Sequence, residues 1–141
     1  KLRKSSINKK LKNVIFVDSV GRKEVPLYWS LLDVSIIHLK NLDTFESVIP
    51  SKIFESMAMG IPLLHGVLGE SKEIIESNKV GICFVPEIEL SLFESIIEIK
   101  NNKKDYNMFK NNCLKTAIKF DRKTLAKRML EIIKNTCKYS N

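Results

Sequence analysis

The run from Ser47 to Leu64 constrains this chain more than any other, because a loop, a short helix and a buried strand must follow one another in it without slack. Pro50 sets the loop exit, Ser51 suits a helix N-cap, Gly60 and Pro62 close the helix, and Leu63-Leu64 opens a strand. Such junctions belong to α/β folds, which place ligands at the carboxyl ends of their strands. The amides of the first helical turn are expected to point outward beside Lys52, an arrangement suited to an anion, with Glu55 one turn further in.

The same alternation continues on both sides. Val14-Ile15-Phe16-Val17 predicts a strand over 13–17, and further strands are expected over 34–39, 62–66 and 81–85. Helical spacing predicts helices over 24–32, 51–59 and 70–77, with a polar loop over 40–49. Four strands separated by helices imply parallel βαβ units with right-handed crossovers, and unbroken apolar strands imply helices on both faces. Beyond residue 88 the pattern is helical, over 89–100, 106–120 and 123–135, with Asp121 as the N-cap of the last helix. The expected fold class is therefore α/β, a Rossmann-like parallel sheet with flanking helices and a helical C-terminal tail.

Composition limits what this fold can do. A chain of 141 residues, 44% hydrophobic and 28% charged, forms one domain over 1–141 and buries a core without disulfides. No apolar run reaches the length of about 20 residues that spans a bilayer. Cys83, Cys113 and Cys137 are odd in number and widely spaced, which argues for a reducing compartment, the cytoplasm, and against a zinc site. His38 and His65 each end an apolar run and do not pair as ligands, so no metal is expected; His65 reads as a core or rim histidine. The net charge of +8 gathers at the two ends, where Lys and Arg read as solvated faces or as attractors of phosphates, anionic membranes or nucleic acid.

Pro50-Ser51-Lys52-Ile53-Phe54-Glu55 resembles the P-x-K-x-x-E variant of the donor-site segment in retaining GT-B glycosyltransferases of the glycosyltransferase family 4 type. The order of parts from Asn13 onward is similar to the donor-binding, C-terminal half of that fold. The resemblance implies that Glu55 holds the ribose hydroxyls of a nucleotide sugar, while Ser51 and Lys52 serve its diphosphate. It places Gly66 and Gly69 in a turn near the phosphates, and Gly21 and Arg22 in the loop that meets the nucleobase or phosphates. The first acid of the family's E-x7-E pattern falls on Ser47, so either Glu46 reaches in from one residue earlier or Ser47 and backbone amides suffice.

The resemblance further implies hexosyl transfer with retention from a UDP-, GDP- or ADP-sugar to a polysaccharide or lipid-linked glycan, without metal or cofactor. No general base is assigned. It places the first strand and helix of the donor domain, and an N-terminal acceptor domain, before Lys1, and allows peripheral association with the inner face of a membrane. Without the resemblance, Lys52 and Arg22 read equally as surface cations, Ser51 as a cap only and Gly66–Gly69 as an ordinary turn. Three other readings fit the residues less well: another sugar-phosphate or nucleotide-sugar enzyme of GT-B shape, such as an epimerase-like one, a flavodoxin-like α/β interaction module, and a basic polyanion-binding domain.

Overall fold

A computed structural model describes residues 2–138. Its centre is a parallel sheet of three strands, β1 (Ser35–His38), β2 (Leu63–Gly66) and β3 (Gly81–Cys83), in the order β1-β2-β3. Ser35 pairs with Leu63 and Leu63 with Gly81, so the strands run in register from one end of the sheet to the other. Parallel neighbours require crossovers, and helices supply them. The chain opens with α1 (Leu2–Asn8) and α2 (Val25–Trp29); α3 (Asp43–Glu46) and α4 (Lys52–Ala58) lie between β1 and β2, and α5 (Glu70–Asn78) joins β2 to β3. Then come α6 (Glu89–Asn101), α7 (Lys103–Lys119) and α8 (Arg122–Lys138).

Successive side chains of a strand point to opposite faces, and Leu63 and Leu64 are 0% and 1% exposed, so β2 is covered on both. Leu63 joins a cluster with Ile37, Ile53 and Met57 of α4, Ile75 of α5 and Cys113 of α7. Leu64 joins a second cluster with Phe84 and Ile99 of α6, against which Leu92, Tyr106 and Phe109 pack. The parallel α/β class with a helical C-terminal region is thus as expected.

The strand expected over 13–17 does not form. Among the described residues no neighbouring strand pairs with it, and Ile15 is 87% exposed. Its local β pattern is intact, but a strand exists only where an adjacent backbone takes its amides and carbonyls. Arg3 holds α1 against this segment instead, through an ion pair with Asp18 at 2.8 Å and its guanidinium 5.5 Å from the centre of the Phe16 ring. For the same reason β1 has one open edge and an outer face on which Ile36 stays half exposed, so the expectation of helices on both faces holds for β2 and fails for β1.

Two further departures are local. The loop expected over 40–49 contains the four-residue α3. Ser51 occupies the N-cap position of α4, but its side chain makes no capping hydrogen bond, because its backbone is already helical (φ −58°, ψ −23°). By contrast Asp121 caps α8 as expected, accepting from the Thr124 amide at 3.0 Å, a bond that holds its carboxyl below the usual carboxylate range.

The end of α4 follows the reading closely. Gly60 takes φ +67°, its amide donates to the Met57 carbonyl, and the Ile61 amide donates to the Ser56 carbonyl, which together make a Schellman closure. The Ser56 hydroxyl, fully buried, donates back to the Ile61 carbonyl at 2.9 Å. Gly60→Ala is expected to lose about 1–2 kcal/mol of stability, from the left-handed backbone and a contact of 3.2 Å between the new Cβ and Leu114. Gly21→Ala, where an added Cβ meets only the Glu24 carboxylate at 3.1 Å, should stay within about 0.5 kcal/mol. Urea unfolding followed through the single tryptophan, Trp29, measures both.

Candidate functional site

The carboxyl ends of the three strands meet a set of tied loops. Gly66, at the end of β2, lies so close to the Phe84 ring that a Cβ would stand 2.3 Å from it. Phe84 in turn stacks on His38 at the end of β1, with ring centres 5.9 Å apart. His38 Nε2 accepts from the Glu87 amide at 3.1 Å, and Glu87 accepts from the Asn41 amide at 3.0 Å, so the loops after β1 and β3 are joined. Gly69 takes φ +71° at the start of α5 and is pressed against α3: a Cβ there would lie 2.1 Å from the Glu46 carbonyl oxygen. Only glycine permits that approach. Glu46, Gly66 and Gly69 are thereby brought to one edge of the sheet.

Arg22, Lys52 and Glu55 are brought together elsewhere, around a cavity of about 480 Å3 between α2 and α4. Its volume falls within the usual range for small-molecule sites. Lys52 and Glu55 share a face of α4 because they are three residues apart, and Lys52 Nζ donates to both carboxylate oxygens at 2.8 and 3.0 Å. With side chains 59% and 41% exposed, this pair contributes little stability, about 0–1 kcal/mol. Both groups are therefore free to exchange each other for a ligand at small cost.

Trp29 and Arg122 complete the wall. Neither was singled out in the sequence: Trp29 falls on the apolar face of α2, and Arg122 within a basic cluster that reads as solvated. A smaller neighbouring cavity of about 340 Å3 brings Ser51 to Glu55 and Arg122.

Several candidate groups are engaged within the protein or stand in solvent. The Ile53, Phe54 and Glu55 amides donate to the carbonyls of Pro50 and Ser51, so the first turn of α4 offers an anion fewer free amides than its position suggested. The Gly21 amide is taken by the Glu24 carboxylate at 2.9 Å. Ser47 is exposed, its hydroxyl 3.5 Å from the Thr44 carbonyl, and the Glu46 side chain is exposed as well. Among the described residues no three His, Cys, Asp or Glu side chains gather as metal ligands, and no helix is long and apolar enough to cross a membrane.

A three-stranded parallel sheet with helical crossovers and tied loops at its carboxyl edge defines a Rossmann-like α/β domain. Residues 1–116 match the model of the family described as glycosyl transferases group 1. The chain belongs to that family. It is 38% identical over 55 residues to the protein of Bacillus subtilis (strain 168) named as the teichuronic acid biosynthesis glycosyltransferase TuaH, covering 39% of this chain and 14% of that one. The fold superposes on a sucrose-phosphate synthase from Thermosynechococcus elongatus with a TM-score of 0.73 at 16% identity, over 99% of this chain and 34% of the synthase. The fold is thus that of a GT-B glycosyltransferase domain, and the chain spans a minor part of the length of either protein.

One buried group braces the site. His65 is fully buried, with Nε2 at 2.9 Å from the Ser71 hydroxyl, which fastens the end of β2 to the first turn of α5 and frames the turn from Gly66 to Gly69. Its Nδ1 has no partner among the described residues. Burial away from water disfavours the charged ring and lowers its pKa to about 4. Unfolded, the ring takes a proton near its ordinary value of about 6.5. Below that pH the unfolded chain binds more protons than the folded one, so stability falls with pH until the folded ring titrates. Urea unfolding is expected to show a loss of about 1.5 kcal/mol between pH 6.5 and pH 5 from this residue, and His65→Gln should remove that part of the slope.

Proposed function

We propose that this chain is the donor-nucleotide domain of a retaining glycosyltransferase, and that the sugar nucleotide binds in the cavity between α2 and α4. The observation that carries the reading is the meeting of Glu55 and Lys52 with Arg22, Trp29 and Arg122 around one space of ligand size. A carboxylate accepts two hydrogen bonds from adjacent ribose hydroxyls in a bidentate arrangement. When a diphosphate enters, Lys52 is drawn off Glu55 towards the phosphates, and the carboxylate it leaves becomes available to the ribose.

The expected chemistry is movement of a hexosyl unit from a nucleoside diphosphate to an acceptor hydroxyl, with the anomeric configuration kept. The contribution of this domain is to stabilise the leaving diphosphate as negative charge grows on it. Lys52, Arg22 and Arg122 supply cationic charge for that role. Ser47 stands where an acid would meet the donor sugar, with Glu46 beside it. A polysaccharide or lipid-linked glycan acceptor would be held by an additional domain, so the chain alone is expected to bind donor without turnover. With a lipid-linked acceptor the enzyme would work at the cytoplasmic face of a membrane.

Isothermal titration with UDP, GDP and ADP at two salt concentrations tests the reading. One diphosphate should bind selectively, and Glu55→Ala should weaken it by at least about tenfold, the loss of charge-assisted hydrogen bonds to a ligand. Glu55→Gln breaks the pair with Lys52 while keeping a hydrogen-bonding side chain, and should fall between. Equal, salt-sensitive binding of all three diphosphates, indifferent to Glu55, would overturn the donor site in favour of a general polyanion surface.

A further inference from the structure

The loops at the carboxyl edge of the sheet are tied by two hydrogen bonds that share one residue. Val85, Pro86, Glu87 and Ile88 form a turn, closed by the Ile88 amide on the Val85 carbonyl at 3.3 Å. Proline at its second position and φ +62° at Glu87 make it a type II turn, whose third position ordinarily takes glycine or asparagine. This chain places a glutamate there instead, in a backbone conformation that a long side chain rarely adopts.

What the glutamate does follows from its partners. Its amide donates to His38 Nε2 at 3.1 Å, and its carboxylate accepts from the Asn41 amide at 3.0 Å. An amide N–H only donates, so His38 Nε2 holds a bare lone pair and the ring is neutral, with its proton on Nδ1. The stacked Phe84 ring supports it in that orientation.

The second bond reaches further along the chain. Asn41 lies one residue before Leu42, the cap position of α3, and at the other end of α3 the Glu46 carbonyl is pressed against Gly69. A helix of four residues has no stability of its own. Its two ends therefore hold it, and Glu46 and Ser47 with it.

The charges around the ring decide what a proton would do there. Glu87 and Glu89 share its space with the apolar Ile36, Ile88 and Leu92. β2 brings Gly66 against it, and Lys40 follows two positions on along the ring's own chain. A proton added at Nε2 occupies the lone pair that the Glu87 amide uses, and the ring then presents two N–H donors beside two carboxylates. A charged ring is a stronger partner for the Glu87 carboxylate than a neutral amide, and draws it from Asn41.

We propose that His38 and Glu87 form a proton-operated latch on the loop that carries Glu46 and Ser47: a neutral ring keeps both bonds and holds α3 at the sheet edge, and a protonated ring exchanges both and releases it. His38 is thus a positioning residue, acting on the loop through Glu87. The inference is independent of the donor reading, because the latch operates in the chain without ligand.

Nitrogen-15 NMR of the full 141-residue chain tests it between pH 8 and pH 5.5, inside the range in which histidine changes its charge. The other histidine, His65, does not interfere, since burial lowers its pKa to about 4. At the upper end His38 should show a protonated Nδ1 and a bare Nε2. As the ring titrates, the amides of Glu87, Asn41, Glu46 and Ser47 should shift with the same midpoint. His38→Gln, whose side-chain carbonyl accepts in place of Nε2 and does not titrate, should keep all four at their high-pH positions throughout. Glu87→Gly, which suits the turn, should leave the amide at position 87 following the ring while those of Asn41, Glu46 and Ser47 cease to do so.

A bare Nδ1 in the neutral ring, or a titration of His38 that leaves the Asn41 and Glu46 amides in place, would overturn the proposal in the unaltered chain. The same shifts in His38→Gln would overturn it equally. Asn41 and Glu46 amides that still follow the ring in Glu87→Gly would also do so, because the charge of the ring, and not the latch, would then be moving them.

Discussion

The burial of β2 on both faces and both edges is the constraint on which the rest of the molecule depends. β1 and β3 each hydrogen-bond to it, and its adjacent residues Leu63 and Leu64 belong one to each of the two hydrophobic clusters. A strand so placed admits no slip in register, because a shift of one residue would exchange the two faces and bring Leu64 into the packing formed for Leu63. The turn that launches β2 must then be equally exact in its geometry, which explains the density of local bonding between Ser56 and Pro62. The Schellman closure at Gly60 and the buried hydroxyl of Ser56 fix the angle at which α4 hands the chain to the sheet.

That handover sets the chemistry as well. α4 packs Ile53 and Met57 against the sheet, and with those positions inward the helix turns Lys52 and Glu55 outward, to the cavity beneath α2. The candidate site is thus a consequence of core packing on the opposite side of the same helix. At the other end of β2, Gly66 and Gly69 serve the same purpose by leaving room: one for Phe84, the other for the Glu46 carbonyl. His65, just before them at the end of β2, is held neutral by burial and fastens the turn to α5.

What was legible in the sequence divides along the distance over which each feature is determined. The closure at Gly60 and Pro62, the cap at Asp121, the three paired strands and the shared face of Lys52 and Glu55 all follow from residues within a turn or two of each other. Ser51 failed as a side-chain cap although its position was right, because the φ and ψ of one residue decide whether its hydroxyl reaches the helix amides. The segment 13–17 has the composition of a strand, yet a strand is a relation between two backbones, and no property of Val14-Ile15-Phe16-Val17 alone supplies the second. Trp29 and Arg122 lie 93 positions apart in sequence and meet across one cavity, a juxtaposition that spacing and periodicity do not encode.

The Lys52–Glu55 pair shows how an apparently redundant local interaction gains meaning from such long-range placement. On an isolated helix, two opposite charges three residues apart amount to a few tenths of a kcal/mol. With Arg22 and Arg122 drawn to the same cavity, the cations outnumber the single carboxylate, and Lys52 donates to both of its oxygens. An incoming anion competes for Lys52 without leaving a buried charge behind, because both partners are already partly in water. The weakness of the exposed pair is therefore what suits it to a binding site: a buried pair would hold its geometry and resist exchange, since separating it would strand an uncompensated charge at several kcal/mol. On the proposed donor reading, the Glu55 carboxylate meets the ribose that all three diphosphates share, while the cations around it set overall affinity and its sensitivity to salt.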